Sequence, residues 1–367
     1  MGLSVLLFFV AGLLLLIIGA EMLVRGSSRI ASFLGISPLI IGLTVVAFGT
    51  SSPELAVSVK SSFAGQADIA VGNVVGSNIF NILFILGLSA AITPLAASRQ
   101  LIRLDVPVMI GVSVLFFIFG LNGVVSRLEG AVLTAGFFAY TGFLVYLGRK
   151  ENGTTDEFKE EFSYKRGRSA ARDWAVNVLI SIAGLALLVL GSRWLVDGAV
   201  HMARGLGVSE LIIGLTIIAA GTSLPEVATS VMASIKGERD IAVGNIIGSN
   251  IFNILSVMGI TSLVSANGVG VPGSALSFDI PVVLAVSAAC LPILFTGYTI
   301  ARWEGALFLA YYVLYTSFIF LNSTGHASLS AFKFAMGAFV IPLTVVTLAV
   351  LTARALIIRS KTNRQEE

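Results

Sequence analysis

Residues 42–88 read GLTVVAFGTSSPELAVSVKSSFAGQADIAVGNVVGSNIFNILFILGL, and residues 214–260 read GLTIIAAGTSLPEVATSVMASIKGERDIAVGNIIGSNIFNILSVMGI. Aligned without a gap, at an offset of 172 residues, these stretches are identical at 29 of 47 positions. Similarity this high, confined to one block in each half of the chain, indicates two copies of one structural unit.

The composition is that of a membrane protein. The chain has 367 residues, of which 56% are hydrophobic and 12% charged, and its mean hydropathy is +0.96. A soluble domain has roughly 25% charged residues. The net charge of +3 does not indicate nucleic-acid binding, because basic loop residues also set membrane topology. The lone cysteine, Cys290, lies in an apolar run and is expected to be a small buried hydrophobe.

Eleven apolar segments are of spanning or near-spanning length. The first has no basic residue before it and is long enough to span, so it is expected to be a permanent helix rather than a signal peptide. The segments are approximately 3–24, 37–62, 69–91, 104–121, 129–148, 174–196, 209–235, 241–264, 278–296, 303–322 and 332–356.

The only long polar linker falls between the two repeated blocks. The predicted organisation is a first five-helix repeat, a cytoplasmic linker, a second five-helix repeat, and an additional transmembrane helix with a basic cytoplasmic tail. These parts cover residues 1–148, 149–173, 174–322 and 323–367, respectively.

The distribution of lysine and arginine predicts the orientation. With the N-terminus outside, 18 of the 23 basic residues fall on the inner side, and the C-terminus is cytoplasmic. Five helices per repeat is an odd number, so the second copy enters the membrane from the opposite face. The predicted fold is an all-α polytopic membrane protein with two inverted five-helix repeats plus one extra C-terminal helix.

Each repeated block carries one carboxylate in the middle of an apolar segment, Glu54 in the first copy and Glu226 in the second. An ionised side chain there costs at least about 3 kcal/mol without a partner. No lysine or arginine lies at matching depth in the sequence. A protonated, hydrogen-bonded carboxyl would explain one such residue, but its repetition in one motif favours a functional site.

The residues next to the glutamates are oxygen donors. Thr50 precedes Glu54 by four positions, and Thr222 precedes Glu226 likewise, so each pair is expected on one helical face. A proline just before each glutamate cannot donate to the carbonyl four residues earlier, and the preceding Gly-Thr-Ser run loosens the turn. Carbonyl, hydroxyl and carboxylate oxygens are the ligands that calcium prefers.

The second half of each block supplies serine and asparagine side chains. Ser77 and Asn81 are four residues apart, as are Ser249 and Asn253, and this shared spacing favours a place in the site. The other asparagines are equally well explained as polar contacts between packed helices. These are Asn73, Asn78, Asn245 and Asn250.

The two blocks resemble the alpha-1 and alpha-2 repeats of the cation/calcium exchanger superfamily, and are most similar to its prokaryotic sodium/calcium exchangers. The motif GTSxPE followed by GNxxGSNxFN, present twice, carries the resemblance. With the surrounding ten-helix organisation, the resemblance covers nearly the whole chain apart from the last helix.

The resemblance implies four ion sites at the membrane midplane, between the second, third, seventh and eighth helices. For calcium it implies Glu54 and Glu226 with the carbonyls of Thr50 and Thr222. For sodium it implies the Ala47 carbonyl, Ser51 and Ser77 in one half, and the Ala219 carbonyl, Ser223 and Ser249 in the other, while Asn81 and Asn253 complete the centre.

The resemblance also has departures. Some relatives, including potassium-dependent ones, have aspartate at the position of Asn253, so this chain is expected to use sodium without potassium. The linker is too short for the regulatory calcium-binding domain of some relatives.

The function implied is antiport of sodium against calcium by alternating access, with the first and sixth helices sliding as gates. The expected substrates are Ca²⁺ and Na⁺, and the expected location is the inner membrane of a prokaryotic cell. The sequence suggests no enzymatic activity, no cofactor, no nucleic acid and no obligate protein partner.

Three alternatives remain open. A proton/calcium exchanger would use the same glutamates, although the four serine hydroxyls favour sodium. A calcium channel would also need acidic residues on its axis. An intramembrane protease with two carboxylates fits less well, because both acids are glutamates among cation-type oxygen donors.

Several other charged residues are interpreted as structural. Glu21 and Arg193, near the ends of the first and sixth segments, are expected to be interfacial residues rather than ligands. The remaining four begin predicted helices and are expected to be caps. They are Asp105, Glu129, Asp279 and Glu304.

Overall fold

A computed structural model describes residues 3–151, 170–206, 219–295 and 297–347, together with residues 217, 349 and 353. The middle of the predicted linker, the start of the predicted seventh segment and most of the C-terminal tail lie outside these residues. The division into two repeats, a linker and a tail therefore stays a prediction at those boundaries.

The described residues are almost entirely helical. Nine helices are long and apolar enough to span a membrane, and a bent pair, Pro38–Thr50 with Ser52–Phe63, makes a tenth span within this part of the chain. In chain order the helices are α1 (Leu3–Leu34), α2 (the bent pair), α3 (Ala67–Ile92), α4 (Leu101–Gly120), α5 (Arg127–Glu151), α6 (Ala170–Gly205), α7 (Ala219–Gly221 and Leu224–Ile235), α8 (Arg239–Val264), α9 (Ala275–Phe295), α10 (Arg302–Ser323) and α11 (Leu329–Thr347).

The packing of α1 against α6 shows that the repeats are inverted. A Cβ atom on Gly12 would lie 2.8 Å from the Gly191 carbonyl oxygen, and one on Gly19 would lie 2.7 Å from the Gly184 carbonyl oxygen. The contacts run in opposite chain directions, so the two helices are antiparallel. Because α6 begins the second repeat, that repeat enters the membrane from the opposite face, as predicted.

Two short antiparallel strand pairs join the repeats. Strand β1 (Leu95–Ala96), after α3, pairs with β4 (Thr299–Ile300), after α9. Strand β2 (Val124–Val125), after α4, pairs with β3 (Val269–Gly270), after α8. In an inverted-repeat topology the two pairs lie on opposite faces of the membrane.

The repeated blocks form the centre and the other helices surround them. The α8 helix is buried along its whole apolar length and α3 along most of it. The outer helices expose large apolar side chains such as Leu7 on α1, Phe138 on α5 and Leu179 on α6. Large apolar side chains are suited to contact with lipid, whereas the polar side chains of the blocks face each other.

Helix lengths differ from the prediction for the first and sixth helices. The α1 helix continues ten residues beyond the predicted end at residue 24, and α6 continues to Gly205. Hydropathy marks only the apolar part of a helix, and the extensions are too polar to register.

The cap prediction is confirmed for two of the four acidic residues. Glu129 Oε2 accepts the Ser126 N–H at 2.7 Å, and Glu304 Oε2 accepts the Ala301 N–H at 2.8 Å.

For the two aspartates the cap prediction is wrong. The α4 and α9 helices begin four residues earlier than Asp105 and Asp279, each with a π-helical turn that ends at the aspartate. The side chains instead accept hydrogen bonds from tyrosine hydroxyls, Tyr140 to Asp105 at 2.9 Å and Tyr315 to Asp279 at 3.0 Å.

Candidate cation site

Both proline-containing segments of the repeat interrupt their helices where the sequence predicts. The α2 helix bends by 41° at Ser51, whose φ and ψ are −80° and 2°, and Ser223 in α7 has nearly the same values, −90° and 8°. The prolines two positions later have no N–H to continue the helix. One carbonyl predicted to be free is satisfied, because the Ser192 hydroxyl of α6 donates to the Gly221 carbonyl at 2.6 Å.

The two glutamates are fully buried, and each accepts a hydrogen bond from a serine of the other repeat. Ser223 Oγ donates to Glu54 Oε1 at 2.8 Å, and Ser51 Oγ donates to Glu226 Oε1 at 3.3 Å. Ser77 Oγ lies 3.4 Å from the same Glu54 oxygen. The structure therefore brings five of the predicted site residues together, and both repeats contribute side chains to the cluster.

The threonine side chains are directed elsewhere than their spacing predicts. Thr50 Oγ1 lies 3.0 Å from Asn245 Oδ1, and Thr222 Oγ1 lies 3.2 Å from Asn73 Oδ1. The four-residue rule fails here because the helix is interrupted at the residue after each threonine. The backbone carbonyls of Thr50 and Thr222 stay candidate ligands.

The asparagines that accept from these threonines complete two equivalent bridges. Asn73 Nδ2 donates to Ser58 Oγ at 2.9 Å, and Asn245 Nδ2 donates to Ser230 Oγ at 2.9 Å. Each bridge thus links a threonine of one repeat to an asparagine and a serine of the other. Sequence reasoning missed Ser58 and Ser230, although both are identical in the two copies, and that identity was the available signal.

The remaining predicted side chains are buried close to the point where α3 meets α8. Asn253 Nδ2 donates to Asn78 Oδ1 at 3.0 Å. Asn81 and Ser249 are at most 1% exposed. Among the described residues, the side-chain polar atoms of both lack a hydrogen-bond partner.

The two alanine carbonyls are placed differently in the described residues. The Ala47 carbonyl accepts the Ser51 N–H at 3.0 Å and lies 3.4 Å from the Thr50 hydroxyl oxygen, and its role as a cation ligand stays a prediction. Ala219 begins the described part of α7, and the role of its carbonyl stays a prediction.

The electrostatics of this cluster call for a cation. Neither glutamate forms an ion pair in the described part of the chain, and the two carboxylates are close enough to repel each other. The second oxygen of each, Oε2, has no hydrogen-bond partner there, and neither has Asn253 Oδ1. Buried polar atoms without partners are costly. Several hard oxygen donors left free at one place fit a calcium or sodium ion.

Glu21 lies outside this cluster, at the corner where α1 meets the α7–α8 loop. Its Oε1 atom is 2.8 Å from a guanidinium nitrogen of Arg25 and 2.8 Å from Lys236 Nζ. Ser28, two turns further along α1, donates to Glu238 of the same loop at 2.8 Å. This position agrees with the interpretation of Glu21 as an interfacial residue.

Inverted repeats, interrupted helices and a buried carboxylate site between the repeats together define a secondary transporter of cations. A sequence model described as "Sodium/calcium exchanger protein" matches residues 4–146 and again residues 176–321, which is one match for each repeat.

Individual proteins agree with this match. The chain is 41% identical to inner membrane protein YrbG of Escherichia coli, over 76% of this chain and 85% of that protein. It is 34% identical to sodium/calcium exchanger MaX1 of Methanosarcina acetivorans, over 86% of this chain and 98% of that protein. A solved structure of the sodium-calcium exchanger NCX_Mj superposes with a TM-score of 0.72 at 32% identity, covering 86% of this chain and 98% of that one.

The chain belongs to the sodium/calcium exchanger family. It is an integral membrane protein and a cation/calcium antiporter, and the family is one of transporters rather than enzymes. The family resemblance read from the two repeated blocks, and the all-α inverted-repeat fold expected from it, are confirmed.

Proposed function

We propose that this antiporter exchanges Na⁺ for Ca²⁺ by alternating access, through one midplane site built from both repeats. The observation that supports it most strongly is the crossed pair of contacts, Ser223 to Glu54 and Ser51 to Glu226. Because each carboxylate is held by the opposite repeat, neither repeat forms the site alone.

The calcium site is proposed to consist of the Glu54 and Glu226 carboxylates and the carbonyls of Thr50 and Thr222. Two carboxylates neutralise one divalent cation, and carbonyls add neutral oxygen ligands. The sodium ligands are proposed to be the Ala47 carbonyl, Ser51 and Ser77 with the Ala219 carbonyl, Ser223 and Ser249, while Asn81 and Asn253 complete the centre. Sodium and calcium then compete for the same glutamates, which couples their transport.

The gates are proposed to be α1 and α6, moving together against the rest of the bundle. The support is their close glycine packing, in which the backbones touch and leave no room for a side chain between them. Helices in such contact move most easily as one body. The contact of Ser192 with the Gly221 carbonyl would pass that motion from α6 to α7.

The N-terminus is proposed to lie outside and the C-terminus inside a prokaryotic cell membrane. The bias of basic residues supports this orientation. So does the pairing of Lys236 with Glu21, which puts two predicted inner-side regions in contact.

The test is calcium uptake into proteoliposomes loaded with sodium, at equal pH on both sides and with the membrane potential clamped. The expected result is saturable uptake of isotopic calcium that requires internal sodium. A matched preparation without a sodium gradient serves as the control.

Two outcomes would overturn the proposal. Uptake driven by a pH gradient and not by a sodium gradient would make the protein a proton/calcium exchanger, a function that the free Oε2 atoms of both glutamates also allow. Calcium flux that does not saturate and needs no counter-ion would indicate a channel.

A further inference from the structure

Four asparagines meet where α3 crosses α8, and the repeat relates them in pairs. Asn78 corresponds to Asn250, and Asn81 corresponds to Asn253, because the offset between the copies is 172 residues. In a symmetric arrangement every hydrogen bond within this group would occur twice.

Each hydrogen bond among these four asparagines is present in only one of its two symmetry-related forms. Asn78 Nδ2 donates to the Asn250 carbonyl at 3.2 Å, and Asn253 Nδ2 donates to Asn78 Oδ1 at 3.0 Å. The two counterparts, from Asn250 to the Asn78 carbonyl and from Asn81 to Asn250, are missing.

The two asparagines that lack these bonds are as buried as the two that make them. Asn81 and Asn250 are each 1% exposed, and the amide nitrogen and oxygen of both have no hydrogen-bond partner among the described residues. Burial of a whole amide without partners is unusual in a native protein. It indicates either a ligand at these amides or a second arrangement in which they are paired.

The backbone at this place has the freedom that a second arrangement needs. A π-helical segment, Phe80–Leu86, contains Asn81, and another, Asn253–Met258, begins at Asn253. A π-helical turn inside an α-helix permits a local change of register, and such turns are frequent at functional sites.

We propose that these four asparagines form a hydrogen-bond switch with two positions. In the state described here Asn78 bridges the two helices, and the amides of Asn81 and Asn250 are free to face an ion or its water. In the opposite access state Asn250 bridges, and Asn78 and Asn253 are freed.

The inference rests on the proposed alternating access. When two inverted repeats exchange their conformations, an asymmetric contact between residues that are the same in both copies is expected in its reflected form in the other state. Asn78 and Asn250 thereby act as positioning residues that report which face of the membrane the site is open to.

The test compares Asn78→Ala with Asn250→Ala and measures the population of the two states. A suitable probe is Gly76→Cys in a Cys290→Ser background. Gly76 is half-buried and directly precedes Ser77 of the proposed site, so its access to a reagent is expected to differ between the two states. The rate at which a charged thiol reagent modifies this cysteine in purified protein measures the state in which position 76 is open.

The two variants are expected to shift this rate in opposite directions. Asn78→Ala removes both bonds of the described state and should shift the rate about fivefold in one direction, and Asn250→Ala should shift it by a similar factor in the other direction. The comparison is made at the sodium concentration where the unsubstituted probe reacts at half of its maximal rate, so that changes of either sign are visible. Asn78→Ser and Asn250→Ser should show the same signs and guard against misfolding of the alanine variants.

A shift of both variants in the same direction, or no shift in either, would overturn the switch. Sodium-driven calcium uptake by the wild-type protein is measured in parallel. Loss of that uptake would remove the proposed function itself, whereas normal uptake with unshifted variants would remove only the switch.

Discussion

The two copies of the repeated block agree in some contacts and differ in others. The crossed serine–glutamate contacts occur in both copies, at 2.8 and 3.3 Å, and so do the threonine–asparagine–serine bridges, whereas the contact of Ser77 with Glu54 has no counterpart at Ser249 in the described residues. The central asparagine bonds occur in one sense only. The contact of Ser192 with Gly221 likewise has no counterpart, because Ala20 takes the place of Ser192 in α1.

This difference distinguishes the contacts that position the ion-binding groups from the contacts that depend on which face of the membrane the site is open to. The crossed contacts and the bridges position the proposed ion-binding oxygens, and their duplication suits a role in every state. Contacts that differ between the copies although their residues are the same belong to the conformation, since a site open to one face of the membrane cannot be symmetric.

The largest effect is expected when either carboxylate is neutralised. Glu54→Gln and Glu226→Gln should each reduce sodium-driven calcium uptake by about 100-fold or more, because the charge of the ligands determines calcium affinity. Proteoliposome flux measures the effect. Glu304→Gln is the matched control, since glutamine also serves in a capping box and uptake should persist. Substantial uptake by either site variant would break the equivalence of the two copies.

The next effect concerns the packing of the gates. Gly19→Ala and Gly191→Ala each add a Cβ within 2.8 Å of a backbone oxygen of the partner helix, and each should destabilise the protein by about 1–3 kcal/mol. The thermal midpoint in detergent measures this.

Gly142→Ala on α5 is the control for the glycine variants. It has no atom within 4 Å of its Cβ among the described residues and should leave the midpoint nearly unchanged. If the gate variants behave like this control, α1 and α6 do not pack as described.

The bridging asparagines should show a smaller and equal effect. Asn73→Ala and Asn245→Ala each remove the asparagine that bridges a threonine of one repeat to a serine of the other, which costs about 1–3 kcal/mol. Thermal midpoints of these variants, and of double variants with Ser58→Ala and Ser230→Ala respectively, form two double-mutant cycles. Additive effects within a cycle would show that the bridge does not act as a unit.

The smallest effect is expected at the exposed corner formed by Glu21 and Lys236. Lys236→Gln should change the rate of calcium uptake by less than about threefold, because exposed ion pairs are weak. The difference should disappear at high ionic strength. Lys60→Gln, on the opposite predicted face, is the control. An equal salt-sensitive change of the uptake rate in both variants would show that Lys236 has no specific role.

The sequence predicted the parts of this site that depend on local chemistry. Glu54 and Glu226 stand out as carboxylates in apolar segments, and the prolines beside them correctly predict the interrupted helices. The glycines of α1 and α6 were also visible in the sequence, but their meaning depends on a partner helix that the sequence does not display.

What the sequence did not predict depends on how helices from different repeats cross. The contact of Ser223 with Glu54, rather than with Glu226 of its own helix, follows from the packing of α7 on α2 and α3. The sequence predicted a loosened turn beside each proline but not its effect on Thr50, whose hydroxyl lies against Asn245 of the other repeat. The early π-helical start of α4 moved Asp105 from a cap to a buried contact with Tyr140.

The most direct test of a site shared between the repeats is equilibrium binding of calcium to the purified protein. The wild-type chain should bind one calcium ion in competition with sodium, and Glu54→Gln and Glu226→Gln should each abolish that binding completely. Binding of calcium with unchanged affinity by either variant would contradict the shared site, because one repeat would then suffice.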